Sequence, residues 1–269
     1  VTDVHVTVWD DSGGAARVSA VFVHGVMSWG TDERYGFGAQ RPLADAYRLL
    51  MIDRRGHGAS PDIDRTDYEV DADDIVALLT DVPGGAHLVG HSYGGVAAML
   101  AAAHRPDLVR SLALIQPGAL RPAADHPVVT ETLRRNRQAT AELPPDLTPE
   151  DYLRMSTEGL GLPMPEPTPD RLRATRAAMR ERPCWDADVP LQPLADAPWP
   201  TLIITGTWED APEAYRRYAG EPLLVAADVI ADKIGAGRLR VPGFYPHTEQ
   251  PELVNDALRD LWRRADAAA

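Results

Sequence analysis

The chain has 269 residues, enough for one large α/β unit or two average domains; 44% are hydrophobic and 25% charged, a composition that buries a core without disulfides or metals. Asp and Glu number 40 against 27 Lys and Arg, a formal charge of -13, so the basic footprint that nucleic acid or an anionic membrane demands is absent. Cys184 is the one cysteine, which excludes an intramolecular disulfide and a cysteine-based metal site, and with a polar first segment lacking an apolar signal stretch it suits a cytoplasmic protein.

In chain order, residues 4–9, 18–23 and 48–52 read as the first three strands. Residues 68–79 have apolar positions at helical spacing and an expected acidic outer face. The apolar run 86–89 is a further strand, followed by an Ala-rich helix over 93–104 that Arg105-Pro106 ends. Strands follow at 111–115, 202–205 and 238–241, and Pro251 opens a last helix over 251–262. Such continuous apolar strands are buried on both faces, which predicts a mostly parallel sheet between helices. Residues 117–198 break the alternation. They hold 14 of the 24 prolines, with helical pieces at 128–141, 149–157 and 169–182 and no strand pattern. The expected organisation is a core of 1–117 and 199–269 with a helical cap over 118–198. No stretch of the sequence is long and apolar enough to span a bilayer.

The strongest local signal is Gly90-His91-Ser92-Tyr93-Gly94, a G-x-S-x-G lying between a strand and a helix. A serine at that turn is lifted clear of the sheet, and the helix start behind it offers backbone N–H groups to a developing oxyanion. Two further motifs end strands: His24-Gly25-Val26, and Asp53-Arg54-Arg55-Gly56-His57-Gly58-Ala59-Ser60. Together the three motifs resemble the α/β-hydrolase superfamily over residues 18–116, and more loosely over 201–262. The resemblance implies an α/β-hydrolase fold with an inserted helical cap, a Ser-His-acid triad in that chain order, and an oxyanion hole from the amides of Val26 and Tyr93. It also implies propping roles for His24, His57 and His91. Epoxide hydrolases and haloalkane dehalogenases place Asp where Ser92 stands, so esterases, lactonases, C–C hydrolases, hydroxynitrile lyases and cofactor-free perhydrolases remain.

For the acid, Gly206-Thr207-Trp208-Glu209-Asp210 follows a late strand; spacing favours Glu209 over Asp210. The earlier position that some members use falls at Gln116, which carries no charge. For the base, His247 alone among the histidines follows the acid. Anchored on Pro251-Glu252, however, it matches a second, non-catalytic histidine of the superfamily, and the catalytic position falls on Phe244. Either His247 serves as base in a triad with Ser92 and Glu209, or the chemistry has changed. Three functions follow: hydrolysis of a small apolar ester or lactone; a non-hydrolytic cyclase, isomerase or lyase; or a ligand-binding pseudo-enzyme. Met27, Trp29, Trp208 and Phe244 lie beside motif loops and are the candidate substrate contacts. No phosphate-binding glycine fingerprint or metal-ligand spacing occurs, so no cofactor is expected.

Overall fold

A computed structural model describes residues 3–13 and 17–268. Seven strands form one sheet in the order β1-β3-β2-β4-β5-β6-β7, with β1 (Val6–Trp9), β2 (Ser19–Val23), β3 (Arg48–Ile52), β4 (Ala86–His91), β5 (Val109–Ile115), β6 (Thr201–Gly206) and β7 (Gly237–Val241). Only the edge pair β1–β3 is antiparallel; all other neighbours run parallel. Successive side chains point to opposite faces, so each strand feeds two cores. Val21, Val23, Leu88, Leu112 and Ile203 pack into one, and Phe22, Met51, Val89, Ile115 and Ile204 into the other.

The helices are α1 (Tyr68–Thr80), α2 (Tyr93–His104), α3 (Pro127–Ala141), α4 (Pro149–Thr157), α5 (Pro169–Ala178), α6 (Leu191–Ala195), α7 (Glu213–Tyr215), α8 (Glu221–Ile234), α9 (Pro246–Glu249) and α10 (Pro251–Ala268). α1, α2 and α8 share the first core, while α10 closes the second with Leu258, Leu261 and Trp262. The Asp67 side chain caps α1 by accepting from the Glu69 amide.

Three readings change. α8 was not expected, although Pro222 near its start and Gly235 at φ 66° just past its end mark it. α5 stops at Ala178 instead of 182, because the Arg182 amide turns to donate to the Thr66 carbonyl and Pro183 follows. The acidic face of α1 is not wholly outward: Asp71 and Asp74 are buried, ion-paired with Arg54 and Arg55.

Residues 118–198 carry α3 to α6 and, among the described residues, no strand. α4 packs on α5, and α3 on α8; α6 instead packs on α2 and α8, in the layer that flanks the sheet. All the parallel strands point one way. The loops leaving β2, β4, β5, β6 and β7 therefore bring Val26, Ser92, Gln116, Trp208 and Phe244 to one end.

Candidate active site

Ser92 stands between β4 and α2 at φ 51° and ψ −114°, a region non-glycine residues avoid. The turn closes only because its neighbours lack side chains. A Cβ on Gly94 would lie 2.3 Å from the Val23 carbonyl oxygen, and one on Gly90 2.6 Å from the Gly94 carbonyl oxygen. The Ser92 amide donates to the Ile115 carbonyl, and the Ser92 carbonyl accepts from Gly95 and Gly118, so the backbone is held from both sides. The hydroxyl itself makes no hydrogen bond with the described residues, and Ser92 borders two cavities.

Val26 follows β2 in a loop braced by His24. His24 Nδ1 donates to the Gly25 carbonyl at 2.8 Å, and its Nε2 accepts the Arg54 amide at 2.9 Å. Among the described residues the Val26 amide has no hydrogen-bond partner. The Tyr93 amide lies in the first turn of α2, where helical N–H groups lack carbonyl partners. Met27, at φ 51°, gives its carbonyl to Arg171 of α5. Arg171 also pairs with Asp32 at 2.7 Å, with both side chains buried, so this helix holds the loop in place.

The first cavity, about 200 Å³, has Val26, Met27, Ser92, Gln116, Trp208 and Tyr245 among its walls. No acidic or basic side chain other than His91 borders it. Of the four expected contacts, Met27 and Trp208 line it. Trp29 and Phe244 line neither cavity: Trp29 lies against the Arg171 guanidinium, and Phe244 packs among Trp208, Tyr215 and Tyr245.

The three expected triad members are not hydrogen-bonded to one another. Glu209 is exposed, and so is Asp210. His247 is fully buried, and its Nε2 donates to the Tyr35 carbonyl at 3.2 Å. That leaves the lone pair on Nδ1, which has no partner, with the ring 4.3 Å from that of His91. The loop before it is tight. Glu249 accepts from the Phe244 and Tyr245 amides at 2.7 and 3.0 Å, and a Cβ on Gly243, at φ 91°, would lie 1.9 Å from that carboxylate.

Gln116 does more than vacate a position. Its oxygen accepts from the Gly206 amide at 3.0 Å and the Trp208 indole at 2.8 Å, and its nitrogen donates to the Phe244 carbonyl at 3.0 Å. One neutral carboxamide thus ties together the loops after β5, β6 and β7. The pairing of donors and acceptors requires an amide, and a carboxylate there would leave the Phe244 carbonyl without its donor. Residue type hinted at this role, but the partners, 90 and 128 positions away, were invisible in the local sequence.

Burial holds the interior imidazoles neutral. His24, His57 and His91 are pushed well below the ordinary histidine value of 6.5, and His87 and His247 down to about 4. Below 6.5 the unfolded chain takes up protons that the folded one refuses, so stability falls with pH. Each histidine is expected to cost roughly 0.7 kcal/mol between pH 7 and pH 6. Asp71, raised by burial to about 6, works in the opposite sense and offsets a minor share. The Tm is expected to drop by roughly 5–10 °C over that unit; calorimetry showing no drop would contradict the neutral burial.

A strained serine between a parallel strand and a helix, beside a free loop amide, defines the nucleophile-elbow class of α/β protein. The profile of the Alpha/beta hydrolase family matches residues 20–257, and the chain belongs to that family. The 2-(acetamidomethylene)succinate hydrolase of Mesorhizobium japonicum is 47% identical over 76 residues, 27% of this chain and 27% of that protein. The sn-1-specific diacylglycerol lipase ABHD11 of Mus musculus is 36% identical over 107 residues, 38% of this chain and 34% of that protein. These matches thus span about a third or less of the relatives' length. The solved structure of a thermophilic esterase from Thermogutta terrifontis superposes with a TM-score of 0.63 over 97% of this chain and 93% of its own, at 24% identity, a likeness of fold. No helix among the described residues is long and apolar enough to cross a membrane.

Proposed function

We propose that this protein hydrolyses an ester or lactone of a small, largely apolar molecule through an acyl-enzyme on Ser92. The observation that carries the reading is Ser92 itself: a strained serine whose hydroxyl has no partner among the described residues, at the wall of an uncharged cavity that Val26 also lines. Ser92 Oγ attacks the acyl carbon, the Val26 and Tyr93 amides hold the oxyanion, and the alcohol leaves with the proton. Water then releases the acid and restores the serine. In this reading His247 is the base and Glu209 its orienting acid, with residues 118–198 as the cap that shapes the substrate space. His247 spends its Nε2 proton on the Tyr35 carbonyl, so turnover requires the 244–249 loop to shift and release that ring.

A second reading is favoured by one specific set of contacts. Gln116 fills an acid position with a satisfied amide, Phe244 fills the usual base position, and His247 points its proton at backbone. Those are the features of a pocket that polarises a carbonyl without cleaving it, as a lyase, isomerase or binding protein does.

A fluorophosphonate probe separates the two. It is expected to add one phosphonyl group to Ser92 by intact mass and peptide mapping. Cys184 does not compete, because burial pushes its thiol up to about 12. Folded protein that takes no adduct would overturn the hydrolase reading in favour of the second.

A further inference from the structure

Ser92, Val26 and Leu223 border a second cavity of about 320 Å³, and this one carries a carboxylate. Glu181, just after α5, has a side chain only 6% exposed. Its Oε1 accepts from Arg54 at 2.7 Å. Its Oε2 makes no hydrogen bond with the described residues, yet it is not among the sealed polar atoms. Tyr93 lies on the same wall, but its hydroxyl is sealed from the cavity and has no partner among the described residues. One charged acceptor, Glu181 Oε2, therefore borders the cavity unused.

The charges point the same way. Arg54 is fully buried and pairs with Asp71 at 2.9 Å as well as with Glu181. Burial and the Arg54 charge push His24 and His57, packed beside it, well below the ordinary histidine value, although His57 Nε2 lies 3.6 Å from Glu181 Oε1. One cation thus faces two carboxylates, and the cluster lacks one positive charge in a setting where an uncompensated ion is costly. Arg182, also on this cavity, is committed elsewhere: it pairs with Asp67 and Glu69 and lies over the Tyr68 ring. The wall beside Glu181 includes Tyr152 and Trp185, whose ring faces attract cations.

We propose that this second cavity binds a protonated amine on the substrate, its N–H groups donating to Glu181 Oε2 and its charge lying against Tyr152 and Trp185. The ester carbonyl then sits at Ser92 and the uncharged limb fills the first cavity. The substrate class becomes an amine-bearing ester or lactone. This placement of the carbonyl rests on the hydrolase reading, whereas the amine site does not.

The test therefore measures binding apart from turnover. Calorimetric titration at pH 7 uses n-butylammonium chloride and its neutral counterpart 1-butanol, on wild type, Ser92→Ala, Glu181→Gln and Trp185→Leu. Butylammonium is expected to bind wild type and Ser92→Ala alike, on the order of tenfold or more tighter than butanol. Glu181→Gln is expected to abolish that preference, and Trp185→Leu, which leaves the Arg54 cluster intact, to reduce it. Should Glu181→Gln fail to fold, the wild-type ratio and Trp185→Leu decide. Equal binding of amine and alcohol by wild type, or a preference untouched in the folded Glu181 and Trp185 variants, overturns the amine site. A missing fluorophosphonate adduct with the amine preference intact overturns only the hydrolase reading.

Discussion

Ser92→Ala is expected to lower kcat/KM for the best ester substrate by ~10⁴-fold or more while leaving substrate affinity nearly unchanged. The hydroxyl makes no hydrogen bond with the described residues, so removing it breaks no pairing, and the loss falls on the chemical step. If the pocket only polarises a carbonyl, activity stays within about tenfold of wild type, because the Val26 and Tyr93 amides are untouched. A companion variant makes the cost of the elbow visible. At φ 51° and ψ −114° any residue with a Cβ is strained, on the order of 1–3 kcal/mol. Ser92→Gly relieves that strain and is expected to melt higher than both wild type and Ser92→Ala while being equally inactive. A serine kept in an unfavourable backbone, where glycine would be more stable, is what a nucleophile position requires.

How far the sequence led can be judged at particular residues. Arg48–Ile52 as a strand, and Tyr93–His104 and Pro149–Thr157 as helices, agree with the structure to the residue, because composition and punctuation there are local signals. The elbow was legible for the same reason: Gly90 and Gly94 are forced by contacts with the next turn and the adjacent strand. The state of the relay was not legible. His247 could be placed by its distance from Pro251, but its Tyr35 carbonyl partner lies 212 residues away. Gln116 could be seen to lack charge, yet not to clamp three loops. The acidic face of α1 is expected outward because helical periodicity treats charge as outward, and it cannot register the buried Arg54 and half-buried Arg55 that pair with Asp71 and Asp74 from across the fold. The pairing of Glu181 with Arg54 spans 127 residues and joins the segment after α5 to the loop after β3. Long-range pairing of this kind is where a single sequence runs out.

That same pairing supplies the largest stability effect. Arg54→Leu is expected to lose about 3–5 kcal/mol at pH 7.5, read as a fall in the urea midpoint, because it strands two buried carboxylates rather than because it removes favourable contacts. Arg54 is fully buried, bonded to Asp71, Glu181 and the Gly25 carbonyl, and its guanidinium lies 4.2 Å from the Tyr93 ring. Burial already raises the Asp71 carboxyl to about 6 and lifts Glu181, and in both Arg54 is the main group pulling the other way. Without it both carboxyls protonate in the folded state at neutral pH. Their folded values then stand well above the unfolded ones, 3.8 and 4.5, so the variant regains stability as pH falls. Each carboxyl returns up to ~1.4 kcal/mol per pH unit on the way down. The deficit relative to wild type should therefore shrink between pH 7.5 and pH 5.5, even though both proteins weaken in acid through the shared neutral histidines. A deficit that grows with acid, or one below about 1 kcal/mol at pH 7.5, would mean that Arg54 acts as a packed side chain and not as the counter-charge of this cluster.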